Sequence, residues 1–197
     1  MAPGMPLSMQ ELAIADLVPV VAQIIGQRHI DYVDWDVYPV SGVGGSRMSG
    51  GLGIFRLTGS AHTAGQIYPW SVIVKIVTGS NSTGDPTGTY QTPSAWNYWK
   101  REILAYRSGI LAALPGNLAA PHCYRITEHP NDEWRIWLED VQETQKVWDL
   151  AQHGITARHL GQFNGAYLAG HTLPPEQPWM YRGRARDWMT FAAPLTG

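Results

Sequence analysis

Charged residues are scarce in this sequence of 197 residues, and they include no basic excess. The chain has 14 lysines and arginines against 16 aspartates and glutamates, so its formal net charge is -2. Proteins that bind nucleic acid through its phosphates normally carry a basic excess or a basic face, so we expect no nucleic-acid partner. Hydrophobic residues make up 44% of the chain and charged residues 15%. This balance is typical of a chain with a packed core.

Cysteine is nearly absent as well, and no apolar run is long enough to cross a membrane. The single cysteine, Cys123, cannot form an internal disulfide, which fits a reducing compartment. The most apolar N-terminal stretch, residues 17–25, contains Pro19 and Gln23 and lacks the basic segment of a signal peptide. No cysteine and histidine cluster has zinc spacing. We therefore expect a cytoplasmic protein with no membrane partner and no metal ligands of its own.

The apolar patterns predict an α+β fold. A helix that buries Leu17, Val21 and Ile25 precedes two strands within residues 34–57, which are joined by a glycine-rich loop. A third strand follows at residues 70–77, and then a helix with Ser94 as its N-cap. Strands at about residues 122–127 and 134–138 form a hairpin, and a later helix is capped by Thr156. The expected architecture is an antiparallel sheet of about five strands with one inserted helix, followed by a helical region.

Lys75 is the most unusual residue of the third strand. It lies in the middle of the apolar run Val72-Ile73-Val74-Lys75-Ile76-Val77, and the chain has only three lysines. Burying an ammonium is costly unless its charge is matched. The alternative is an edge strand from which Lys75 extends into water.

Glu102 is the candidate partner of Lys75. It lies three residues after Trp99 and four before Tyr106, so it shares the helix face that the apolar pattern turns inward. Pairing with Arg101 or Arg107, or simple exposure to solvent, are the alternatives. A lysine held by a carboxylate can present its ammonium to a phosphate as a point charge.

The loop between the first two strands is dense in glycine over residues 41–53. Backbone N–H groups without obstructing side chains suit the covering of phosphates. The candidate binding residues in it are Gly42, Gly44, Gly45, Ser46, Gly50 and Gly51. The stretch matches neither Gly-x-Gly-x-x-Gly nor the Walker A pattern, and a flexible hairpin loop is the alternative.

Together, these residues resemble the N-terminal lobe of the protein-kinase-like fold, in the branch of aminoglycoside phosphotransferases and related small-molecule kinases, over about residues 34–170. The resemblance implies that Lys75 contacts the α- and β-phosphates of ATP or GTP, that Glu102 orients Lys75, and that the glycine loop covers the phosphates. It also implies that a hinge of Glu139, Asp140 and Val141 meets the nucleotide base. The acceptor would be a hydroxyl group of a small molecule.

The sequence departs from this family after Val141. Neither a His-x-Asp catalytic loop with its asparagine nor a second aspartate for Mg²⁺ follows. The one His-x-Asp, at residues 29–31, precedes the glycine loop, where a surface turn explains it. We therefore expect no catalysis by this chain alone, with Mg²⁺ bound only where the missing lobe is present. The chain is either a fragment of an enzyme or a short relative that only binds nucleotide or a partner.

The resemblance divides the chain into three parts. Residues 1–33 form an N-terminal helical segment, residues 34–141 the nucleotide-binding lobe, and residues 142–197 the exit from the hinge and the start of a helical lobe. Near the end of the sequence are three apolar residues that need another surface to pack against, Trp188, Met189 and Phe191. Self-association of the chain through them is a further expectation.

Overall fold

A computed structural model of the chain describes residues 14–40, 51–79, 89–142, 147–181 and 183. It confirms the α+β class, with a five-stranded antiparallel sheet and three helices. In chain order the elements are α1 (Ile14–Ile25), β1 (Tyr32–Pro39), β2 (Gly51–Thr63), β3 (Gln66–Thr78), α2 (Arg101–Arg107), β4 (Cys123–His129), β5 (Glu133–Glu139) and α3 (Leu150–Leu168). Short 3₁₀ turns occupy Thr89–Gln91 and Ile110–Ala113.

The sheet has the strand order β1-β2-β3-β5-β4, so β3 lies at its centre. At the level of Lys75, β3 pairs with Ile54 of β2 on one side and with Ile136 of β5 on the other. The edge-strand alternative for Lys75 is therefore wrong. Because neighbouring strands occupy both edges of β3, a group that pairs with the Lys75 ammonium has to lie above or below the sheet.

A two-residue turn that the sequence analysis did not predict joins β2 to β3. Its central residues, Ala64 and Gly65, have φ of 49° and 75°. Two positive φ values give a turn whose twist matches that of the flanking strands. The turn allows both strands to run for 13 residues, which is considerably longer than the apolar runs alone indicate.

Helix α1 covers one face of the sheet. Its Leu17, Val20 and Val21 are fully buried in one cluster with Val72 and Val74 of β3. Alternation along the strand places Ile73, Lys75 and Val77 on the opposite face. The expectation that both faces of β3 are covered is confirmed, since Val77 is buried in the cluster of α2.

Helix α2 is shorter than the sequence pattern predicts. It begins at Arg101 rather than after Ser94, and the residues between them form turns. The guanidinium of Arg101 binds the carbonyls of Ala95 and Trp96, at 2.6 and 2.8 Å. The Trp99 amide donates instead to the Tyr90 carbonyl. Because these contacts take up the backbone groups that a longer helix would need, the helix starts only at Arg101.

Helix α3 also starts at a different residue from the prediction. Asp149, not Thr156, is its N-cap: the Asp149 carboxylate accepts the Gln152 amide at 2.8 Å, and the Gln152 side chain accepts the Asp149 amide at 2.8 Å. This reciprocal pair is a capping box. Thr156 lies inside the helix and donates to the Gln152 carbonyl. Within the described part of the chain, no residue of α3 is fully buried.

Gly59→Ala should strongly destabilise the fold. A Cβ at this position would lie 2.0 Å from the Asp34 carbonyl oxygen of the paired strand β1, so the two backbones would have to separate. We expect the free energy of unfolding to fall by about 3 kcal/mol, measured by urea denaturation.

Gly154→Ala is the matched control for this substitution. A Cβ at residue 154 meets no atom within 4 Å, and the position lies in the interior of α3. Alanine is about 0.5–1 kcal/mol more favourable than glycine in a helix, so stability should rise. Equal losses in the two variants would contradict the close approach of β1 to Gly59.

Candidate functional site

Lys75 and Glu102 form an ion pair that joins the centre of the sheet to α2. The Lys75 ammonium donates to Glu102 Oε2. The side chains are 25% and 35% exposed, respectively, so the pair is neither sealed in the core nor free in solvent. The pairing expected from the sequence is present. An ammonium has three donors, and solvent exposure leaves the remaining ones accessible to a ligand.

Two neutral groups accompany the ion pair. Burial raises the pKa of Tyr106 to about 12, and the nearby charge of Glu102 adds to this shift. Burial also raises the pKa of the Cys123 thiol, again with a contribution from Glu102. Both groups therefore stay protonated at neutral pH. A thiol in this state is a poor nucleophile.

The described residues at the two ends of the glycine-rich segment lie near the level of Lys75. The Val40 amide donates to the carbonyl of Ile54, the residue opposite Lys75. At the other end, Gly51 begins β2, is buried, and pairs with Val77. Since strand residues rise by about 3.3 Å, Gly51 lies roughly 7 Å along the sheet from the level of Lys75. The remaining candidate residues of this segment, Gly42, Gly44, Gly45, Ser46 and Gly50, lie outside the described residues.

The three predicted hinge residues lie at and beyond the end of β5. Glu139 is the last residue of the strand and pairs with Val72, three positions from the level of Lys75. Its amide donates to the His122 carbonyl at 2.8 Å, so this N–H is already used. Asp140 and Val141 follow beyond the ladder between β3 and β5. Their backbone groups are thus the part of the predicted hinge that lies outside the sheet.

Arg56 is a residue of this region that the sequence analysis did not identify. Its guanidinium donates to Asp140 Oδ1 at 3.0 and 3.2 Å, and the Asp140 side chain is only 3% exposed. The contact fastens the segment after β5 to β2, on the face that carries Lys75. A signal was present, because Arg56 interrupts the apolar run Ile54-Phe55-Arg56-Leu57 just as Lys75 interrupts its own.

The other sequence candidates are not brought together with Lys75. His29 and Asp31 form an exposed pair, 3.0 Å from Nε2 to Oδ1, and the second Asp31 oxygen accepts the Ala64 amide. Among the described residues, no group of three or more histidine, cysteine, aspartate or glutamate side chains could hold a metal ion. None of the helices in the described ranges is both long and apolar enough to cross a membrane.

Comparison of the chain with protein-family models, with curated proteins and with solved structures gives no match.

Glu102→Gln should speed the alkylation of Cys123, the only thiol in the chain. Burial is the main reason for the raised pKa of this thiol, and the Glu102 carboxylate raises it further. The neutral amide removes that charge, which lowers the thiol pKa. The rate with iodoacetamide, followed by mass spectrometry at about pH 8, should increase because more thiolate is present.

Glu128→Gln is the control for that measurement. It removes a carboxylate at an exposed position of β4, the strand that carries Cys123, and should leave the alkylation rate unchanged. Equal rates in wild type and Glu102→Gln would contradict the placement of Glu102 near Cys123.

Proposed function

We propose that this chain is the nucleotide-binding part of a kinase-like phosphotransferase, similar to the aminoglycoside phosphotransferases, whose full reaction would phosphorylate a hydroxyl group of a small molecule. The observation that carries the proposal is the ion pair between Lys75 on the central strand and Glu102 on the inserted helix. A lysine paired in this way is the arrangement that binds α- and β-phosphates in kinases.

The placement of the other elements supports the same function. The described residues at the two ends of the glycine-rich segment, Val40 and Gly51, lie near the level of Lys75. In the proposal, backbone amides of that segment bind the phosphates. On the other side, Glu139 pairs with Val72, roughly 10 Å along the sheet from Lys75. In the proposal, Asp140 and Val141 offer backbone groups to the base of ATP or GTP. The division of the chain into an N-terminal segment (residues 1–33), a nucleotide-binding lobe (residues 34–141) and the start of a helical lobe (residues 142–197) is part of the same proposal.

Lys75 would act by charge and position. One of its three donors binds Glu102, and the others would bind phosphate oxygens. Glu102 would be a positioning residue, since it acts through Lys75. Mg²⁺ enters only as the ion that neutralises the phosphates, and no described residue is assigned to it.

A non-catalytic nucleotide- or partner-binding module is the second candidate function. The sequence has no His-x-Asp motif after Val141, and the structure uses Asp149, one of two aspartates downstream, as the N-cap of α3. The other, Asp187, lies outside the described residues. Without a carboxylate that orients the acceptor hydroxyl, phosphoryl transfer loses the positioning on which it depends.

Nucleotide binding is tested by thermal unfolding with Mg-ATP and Mg-GTP. A ligand at 100 times its Kd stabilises the native state by about 2.7 kcal/mol, so the wild-type Tm should rise by roughly 5–10 °C. Lys75→Met keeps most of the length of the side chain but removes its charge, and the Tm rise should disappear. Glu102→Gln should reduce the rise.

Lys100→Met is the matched control. Lys100 immediately precedes α2, and its ammonium lies 4.8 Å from the ring centroids of Trp99 and Trp134. The nucleotide-induced rise should survive in this variant. An unchanged wild-type Tm, or an equal rise in Lys75→Met, would contradict the proposal.

The two candidate functions differ in their chemistry. We expect the purified 197-residue chain to release no ADP from Mg-ATP above the background rate, either alone or with small hydroxylated acceptors, because no residue is assigned to orient the nucleophile. Chromatographic detection of ADP measures this. Turnover that Lys75→Met abolishes would establish an enzyme and exclude the non-catalytic module.

A further inference from the structure

A second ion pair lies on the same face of the sheet as Lys75, on the side where the proposed hinge begins. Arg56 follows Ile54, the residue opposite Lys75, by two positions, so these two side chains of β2 share a face. The Arg56 guanidinium donates to Asp140 Oδ1 at 3.0 and 3.2 Å, and its Nε lies 3.0 Å from Asp140 Oδ2. One arginine therefore contacts both oxygens of the carboxylate.

This ion pair bridges the central strand. Arg56 pairs in the sheet with Ile73 of β3, and Ile73 pairs on its other side with Leu138 of β5. Asp140 follows Leu138 by two positions, so the contact reaches from β2 across β3 to the segment after β5. Ile73 lies two residues, roughly 7 Å, from the level of Lys75. A ligand held by Lys75 can therefore reach this ion pair along the same face of β3.

The two partners differ in exposure. The Asp140 side chain is 3% exposed, whereas that of Arg56 is 44% exposed. Removing one partner of such a pair leaves a buried charge without compensation, so the carboxylate would turn toward solvent and displace its own backbone. Val141, the next residue, is 57% exposed and adds little packing. The ion pair thus fixes the backbone of this segment against β2.

We propose that Arg56 is a positioning residue that makes the site selective for nucleoside triphosphates over polyphosphates without a base. Arg56 holds the Asp140 carboxylate over β3, which keeps the backbone of Asp140 and Val141 where a base can form hydrogen bonds with it, while Lys75 binds the phosphates. A backbone that is already in place loses less freedom when the base binds. This inference rests on the proposed function and adds to it the contact that selects the base.

Mg-tripolyphosphate separates the two parts of the site, because it carries three phosphates, as Mg-ATP does, but no base. In isothermal titration calorimetry of the full chain, the wild type should bind Mg-ATP more tightly than Mg-tripolyphosphate. Arg56→Met should weaken the binding of Mg-ATP about tenfold and leave that of Mg-tripolyphosphate unchanged. Lys75→Met should weaken the binding of both ligands, since it removes the charge that binds phosphate.

Two further variants distinguish positioning from a general loss of structure. Arg56→Lys keeps the positive charge and should restore most of the affinity for Mg-ATP. Arg107→Met is the matched control, because it removes an arginine whose guanidinium lies 4.5 Å from the ring centroid of Trp134, at the opposite end of β5 from Asp140. This variant should bind both ligands like the wild type. Retained binding of Mg-tripolyphosphate shows that Arg56→Met is folded.

The inference and the proposed function fail in different ways. An unchanged affinity of Arg56→Met for Mg-ATP would overturn the inference, as would a joint loss of both ligands in this variant. Equal affinities of the wild type for Mg-ATP and Mg-tripolyphosphate would also overturn it. In these three cases the wild type still binds Mg-ATP, so nucleotide binding stands. A wild type that binds neither ligand would overturn both.

Discussion

The burial of β3 on both faces and both edges is the constraint on which the rest of this structure depends. A charge in the middle of such a strand can be accommodated only from above or below the sheet. Lys75 meets this requirement through Glu102, and this places α2 at a defined position over the strand. The ion pair thus fixes a helix to the sheet and leaves a partly exposed ammonium near the two described ends of the glycine-rich segment.

The alternation of side chains along β3 gives the two faces of the sheet different properties. On one face, Val72, Val74 and Ile76 pack with α1 in an apolar cluster. On the other face, Lys75 pairs with Glu102 of α2, and Arg56 binds Asp140. This face therefore carries two ion pairs at different positions along the strands. A pocket lies at the end of β5, and Trp70 and Asp140 are among its lining residues. The separation of an apolar face from a charged one follows from the two-residue period of a strand.

Much of the candidate site could be predicted because charged residues in apolar patterns are informative. Lys75 and Glu102 each occupy a position where the local pattern predicts burial, and burial of one charge requires the other. The same reasoning applied to Arg56 would have indicated a second buried partner. It could not have identified Asp140, because the two residues are 84 positions apart and only the strand order brings them together. The start of α2 escaped prediction for a similar reason, since it depends on the guanidinium contacts of Arg101.

The sequence by itself determined the α+β class, the approximate strands and the pairing of Lys75 with Glu102, because period, turn residues and the cost of burying charge are local properties. Tertiary structure alone decided the central position of β3, the contact of Arg56 with Asp140, and the pocket beside Trp70. These features depend on which strands become neighbours and where each one ends. A shorter β5 beside a longer β3 creates this pocket, and no pattern within either segment specifies that difference.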